Sequence, residues 1–145
     1  MPKRRSMQTH TTNYINTFIE IADDCPNASG EVPESRGNKK SVAQMQYGLI
    51  ANCPYQLSSD DVFFQVFAER NDLTEAEYPA ARAAFFSKGR PCFRASPLTQ
   101  RYGFGVHSDH EGKVAIYGRE TEEYEQFLRD PGIRKVKAMR TSKSK

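Results

Sequence analysis

RYGFGVHSDHEGKVAIY, residues 101–117, is the stretch whose reading decides the fold. Tyr102, Phe104 and Val106 alternate with Gly103, Gly105 and His107, so the two sets lie on opposite faces of an extended chain. Ser108-Asp109-His110-Glu111-Gly112 has the composition of a turn, and residues 113–117 are extended again. The stretch predicts a β-hairpin.

Upstream, YINTFIEIA (residues 14–22) alternates with β-branched residues and reads as another strand, with Ile15, Thr17, Ile19 and Ile21 on one face. Residues 23–40 follow, with two prolines, two glycines and little apolar content; a loop of this length is either a lid over a site or disordered. Ser41 with Gln44 matches a capping box and opens a helix over 42–52, whose predicted core stripe is Val42, Met45 and Leu49, with Cys53-Pro54 as its end. A second helix starts near Ser59 and has Asp60 and Asp61 at its positive end and Val62, Phe63, Val66 and Phe67 on its apolar face. A third covers 75–87, capped by Thr74 and Glu77 and by Gly89, with Pro79 calling for a kink or a later start. Residues 92–96 read as a short extended segment bounded by Pro97, and Thr121 caps a last helix through Leu128. Strands and helices are segregated along the chain. The expected class is α+β: a small antiparallel sheet of three to four strands, with three to four helices mainly on one face.

Length and charge set the organisation. A chain of 145 residues is one domain. Of its 21 Lys and Arg, three fall in residues 1–6 and seven in residues 129–145, while 17 of the 18 Asp and Glu lie between. The expectation is a single domain over 13–129 with flexible basic ends at 1–12 and 130–145, dispensable for folding. Pro2-Lys3-Arg4-Arg5 and residues 135–145 are where nucleic acid or an anionic partner would be met, and Met7 is an alternative start. The acidic body counts against nucleic acid there. No apolar run reaches the length of a membrane span and no signal-peptide core follows the basic start. Cys25, Cys53 and Cys92 are dispersed and odd in number, which fits reduced thiols in a cytoplasmic protein.

Candidate chemistry gathers in residues 88–117. Lys88, Arg90, Arg94 and Arg101 occur with no acid before Asp109. Arg94 and Arg101 are expected to hold an anion, since a guanidinium forks onto carboxylate or phosphate. Ser96 and Tyr102 would add hydrogen bonds, and His107 would exchange a proton near neutral pH. Cys92 is a second catalytic candidate if neighbouring cations lower its pKa; the alternative is a buried structural cysteine. Gly103 and Gly105 on one face require a close neighbour, either a helix such as the alanine-rich third or a ligand. His107, Asp109, His110 and Glu111 are metal-ligand types, but on a tight turn they diverge, so no metal is expected and no cofactor motif is present.

NTFIEIA, PYQLSSDDVFF, KGRPCFRASPLTQRYGFGVHSDHEGKVAIYG and TEEYEQF together resemble a family of small microbial proteins catalogued as a domain of unknown function, over about residues 16–128. The resemblance implies a stand-alone domain of this size and brings no activity, cofactor or catalytic residue. The expected function is binding of a small phosphate- or carboxylate-bearing molecule, with or without chemistry upon it. The alternative is an interaction module for a protein or nucleic acid that uses the basic ends.

Overall fold

The computed structural model describes residues 9–35 and 37–141. The basic run Pro2–Arg5, Met7, and the last lysines Lys143 and Lys145 lie outside the described residues. The α-helices and strands among the described residues are, in order, β1 (Thr17–Glu20), α1 (Val42–Asn52), α2 (Ser59–Arg70), α3 (Tyr78–Phe85), α4 (Pro97–Gln100), β2 (Phe104–Ser108), β3 (Val114–Gly118), α5 (Glu122–Arg129) and β4 (Arg134–Lys137). The protein is α+β, with one four-stranded sheet in the order β3-β2-β1-β4.

Helix starts follow the caps written in the sequence. Ser41 accepts a hydrogen bond from Gln44 N–H at 3.1 Å and starts α1, although the return bond from Gln44 is not made and its Oε1 is buried without a partner. Ser58 and Asp61 form a complete capping box on α2. Thr121 accepts from the Tyr124 N–H and starts α5. Thr74 and Glu77 cap a short 3₁₀ turn, Glu75–Glu77, and α3 proper begins at Tyr78 with Pro79 in its first turn, where a missing N–H costs nothing. Gly89 lies beyond the end of α3; the Ser87 hydroxyl bonds the Ala84 carbonyl instead.

The hairpin is present: β2 and β3 pair antiparallel, Phe104 opposite Gly118 through Ser108 opposite Val114. β1 pairs antiparallel with β2, and β4 pairs parallel with β1 along its whole length, from Thr17 opposite Arg134 to Glu20 opposite Lys137. The sheet is therefore mixed. The stretch 130–145, expected as a flexible tail, supplies a strand, and its Ala138 joins the main core. The N-terminal side is corrected likewise at its described residues. Thr12 is buried, with its N–H and hydroxyl both bonded to Asp60 Oδ1 at 2.7 Å, and His10 N–H bonds the Phe86 carbonyl.

Both faces of the sheet are covered. Ile19, Val106 and Val114 pack with Ile50, Val62, Phe93 and Leu98 in a core roofed by α1, α2 and α4. On the other face, Phe18 meets Tyr124 and Phe127 of α5 with ring centroids 4.8 and 4.9 Å apart. This is why Phe18 and Ile19, neighbours on opposite faces, are both fully buried. A satellite cluster of Phe64, Ala68, Phe85 and Phe86 joins α2 to α3.

Candidate functional site

The largest change from the sequence reading is at residues 92–97. Phe93–Ala95 form a 3₁₀ turn, and Ser96 caps α4 with Pro97 as its first residue. The segment is helical because Ser-Pro is an N-cap followed by a residue whose φ is preset for a helix. That turn forms one wall of a cleft of about 330 Å³. α2 lines it with Phe63, Val66 and Phe67, and Val42 of α1 and Phe85 of α3 add to the apolar lining. Polar groups enter from Gln46, Ser96, Arg70, Asn71 and Arg90. A concave, mainly apolar space with a few convergent polar groups is the usual form of a small-molecule site.

Arg90 is held in place before any ligand arrives. Its Nε donates to the Phe85 carbonyl at 2.8 Å, and its guanidinium carbon stands 4.1 Å from the Phe85 ring centroid. These contacts use the stacking face and the Nε–H, and they place a cation at the C-terminal end of α3. The two terminal amino groups, the ones that fork onto a carboxylate or phosphate, make no hydrogen bond to a described residue. The ion pairs among the described residues are Arg82–Asp61, Arg119–Glu125 and Lys137–Asp23, so Arg90 and Arg70 both lack a carboxylate there.

Beneath them lies a buried polar pair. Ser96 and Gln46 are each 2% exposed, and the Ser96 hydroxyl donates to Gln46 Oε1 at 2.6 Å while accepting from Leu98 N–H at 3.0 Å. The predicted stripe on α1 is rotated: Ala43, Gln46 and Ile50 face inward, and Met45 and Leu49 are only half-buried. Gln46 was therefore not singled out from the sequence. The i, i+3, i+7 spacing of Ala43, Gln46 and Ile50 was the available signal.

The residues singled out from the sequence do not gather at one point. Arg94 Nε donates to the Lys137 carbonyl at 2.6 Å, and Arg94 O accepts from Met139 N–H, so this arginine fastens β4 to the 3₁₀ turn. Arg101 is exposed at the end of α4, and its carbonyl accepts from Asn27 Nδ2. The Tyr102 carbonyl holds Glu31 N–H, and its ring is packed partly against the core. Gly103 has φ of +79°, and an added Cβ would strike the Ser29 carbonyl. The neighbour at Gly103 is thus the 23–40 loop, whose described residues are tied down by Gly30 N–H to Glu120 and by Asp23 to Lys137. The neighbour at Gly105 is Phe18 and Tyr124, so the helix packed there is α5 and not the alanine-rich α3. The Cys92 sulfur lies 3.3 Å from the Tyr14 hydroxyl and 3.4 Å from Arg94 N.

His107 sits on the α5 face, stacked on Phe127 at 4.3 Å, with Nδ1 2.8 Å from the Tyr55 hydroxyl. That hydroxyl also bonds Tyr117 at 2.8 Å. Burial, only partly offset by Asp109 and Asp130, holds the imidazole below its ordinary value of 6.5. Burial and the Tyr117 hydroxyl keep the Tyr55 phenol protonated well above its own ordinary range. The tautomer that satisfies the chain has Tyr55 donating to a neutral ring. A folded pKa below the unfolded one means that neutral His107 contributes its stability in full above about pH 6.5, and loses it as pH falls through the folded value. The melting-temperature advantage of wild type over His107→Gln should therefore shrink between pH 7.5 and pH 5. A constant gap would show that folding does not lower the imidazole pKa.

Asp109 Oδ1 accepts from Glu111 and Lys113 N–H groups at 2.8 and 2.9 Å, and His110 and Glu111 are exposed. Among the described residues no three His, Cys, Asp or Glu are placed to hold a metal ion, and no helix is long and apolar enough to cross a membrane. No curated protein and no solved structure matches the chain. A family model does match, over residues 9–144, which reaches beyond the resemblance at 16–128 to include β4. The chain belongs to that family, DUF6157, a family of unknown function.

Proposed function

We propose that the protein binds a small organic anion with an apolar body, and that the α1–α2 cleft is where it does so. The observation that carries this reading is Arg90: a guanidinium anchored through Nε and stacked on Phe85, with neither terminal amino group bonded to a described residue, beside a phenyl-lined space. Ordering an arginine side chain on binding normally costs about 2 kcal/mol of rotamer entropy, and here most of that ordering precedes the ligand. Arg70, at the end of α2, adds a second cation at the same cleft. Binding without chemistry is the better form of the proposal. The described residues lining the cleft include no Cys, His, Asp or Glu, so among them the usual general bases are lacking.

Calorimetric titration with 4-phenylbutanoate, octanoate and phenyl phosphate tests the reading. Wild type should bind at least one of them, and Arg90→Gln should weaken that binding by roughly 2–5 kcal/mol. Arg94→Gln and Arg101→Gln are the controls: Arg94 is committed to the Lys137 carbonyl and Arg101 is exposed, so each should change binding by less than about 1 kcal/mol. Wild-type protein that binds none of the three, or an Arg90→Gln variant that binds as well as wild type, would refute the proposal.

A further inference from the structure

Gln46 is costly where it stands unless it has a further partner. It occupies the inward stripe of α1 between Ala43 and Ile50, a position that a methionine or leucine could fill without burying an amide. Its orientation is set by Ser96. That hydroxyl already accepts the Leu98 N–H, so its single proton needs an acceptor, and Gln46 Oε1 supplies one at 2.6 Å. A flipped amide would set a second donor against the hydroxyl and leave the hydroxyl proton without a partner. With Oε1 committed, Nε2 carries two N–H groups that make no hydrogen bond to any described residue. Nor is Nε2 among the sealed, unpartnered polar atoms of the core, of which Gln44 Oε1 is the one instance among the described residues. It therefore opens onto the cleft that Gln46 lines.

We infer that Gln46 reads a second hydrogen-bond acceptor on the ligand, so that the preferred class is an oxo-bearing organic acid. The carboxylate lies on Arg90, a carbonyl oxygen faces Gln46 Nε2, and the apolar group lies against Phe63 and Phe67. The inference rests on the cleft being the ligand site. A donor that is both buried and oriented discriminates strongly, because a ligand without the matching acceptor leaves it unpaired after the water in the cleft is displaced. An amide also suits a neutral carbonyl better than a cation would, and it leaves the charge to Arg90.

The test uses matched acids on the full chain: 4-phenylbutanoate against 2-oxo-4-phenylbutanoate and 4-oxo-4-phenylbutanoate, by calorimetry. Wild type should bind one of the oxo acids at least about tenfold more tightly than the parent acid. Gln46→Met, of similar volume, should abolish that preference. Because Gln46→Met leaves the Ser96 proton without an acceptor, Gln46→Glu is measured beside it. As a carboxylate, that variant keeps the acceptor for Ser96 and carries no donor, so measured at pH 8 it too should lose the preference. Equal wild-type affinities for the three acids, or a preference that survives either substitution, would overturn the role of Gln46 while leaving the cleft as an anion site. Failure of all three acids to bind wild type would overturn the site itself.

Discussion

A chain ending at Asp130 is expected to lose cooperative unfolding. β4 is the partner that closes the outer side of β1, and β1 carries Phe18 and Ile19, two of the most deeply buried side chains of the protein. Removing β4 strips Arg134 N–H from the Asn16 carbonyl, Ala138 N–H from the Glu20 carbonyl and Met139 N–H from the Arg94 carbonyl. It also takes Ala138 out of the core cluster, together with Val136, which is half-buried against that cluster. Each hydrogen bond lost contributes about 0.5–1.5 kcal/mol, against a total stability of about 5–15 kcal/mol for a domain of this kind. Thermal unfolding followed by circular dichroism decides the matter. The chain ending at Thr141 should melt within a few degrees of full length, whereas a cooperative transition near the full-length temperature for the chain ending at Asp130 would sink the claim. This reverses the expectation from the sequence, under which the domain spans 13–129 and the basic end at 130–145 is dispensable for folding.

The second large effect is expected from Gly105→Val. A Cβ at this position would lie 2.5 Å from Phe18 Cζ and 2.7 Å from Tyr124 Cε2. Neither ring can retreat. Phe18 and Tyr124 are 0% and 1% exposed, Phe18 is also stacked on Phe127, and the Tyr124 hydroxyl accepts the Ile21 N–H at 2.8 Å. Small-to-large changes in a close-packed core commonly cost about 1–3 kcal/mol. Two branched methyls added beyond an already clashing Cβ should bring the cost to that upper figure or above, lowering the melting temperature by roughly 10 °C. The loss should appear without any ligand, because the neighbour is α5. A variant with an unchanged melting temperature would show that α5 does not pack on β2 as described.

How much was legible follows from how far apart the deciding residues lie. The caps Ser41, Ser58 and Thr121 act on N–H groups three residues away, and the helices they open begin where the sequence placed them. The hairpin was legible for the same reason: its pattern and its turn are contiguous. At 92–96 the helix-start signal Ser96-Pro97 is local as well, but five residues without clear periodicity do not by themselves distinguish a 3₁₀ turn from an extended segment. On α1 the length was right and the face was not, because rotation about a helix axis is set by what packs against it, here Ser96 and α4.

The sequence by itself determined the fold class, the local elements and the presence of an arginine-rich stretch with no acid before Asp109. Only the tertiary structure decided which arginine is available. Arg94 is spent on the Lys137 carbonyl of β4, while Arg90, four residues earlier, is braced by Phe85 and left without an acid among the described residues. It likewise decided that a basic stretch from Arg134 to Lys137, with one apolar residue, is a strand. Its partner, β1, lies more than a hundred residues earlier in the chain. Local patterns report on hydrogen bonds within a turn or two of chain, whereas parallel pairing and a cleft shared by four segments arise only when distant residues meet.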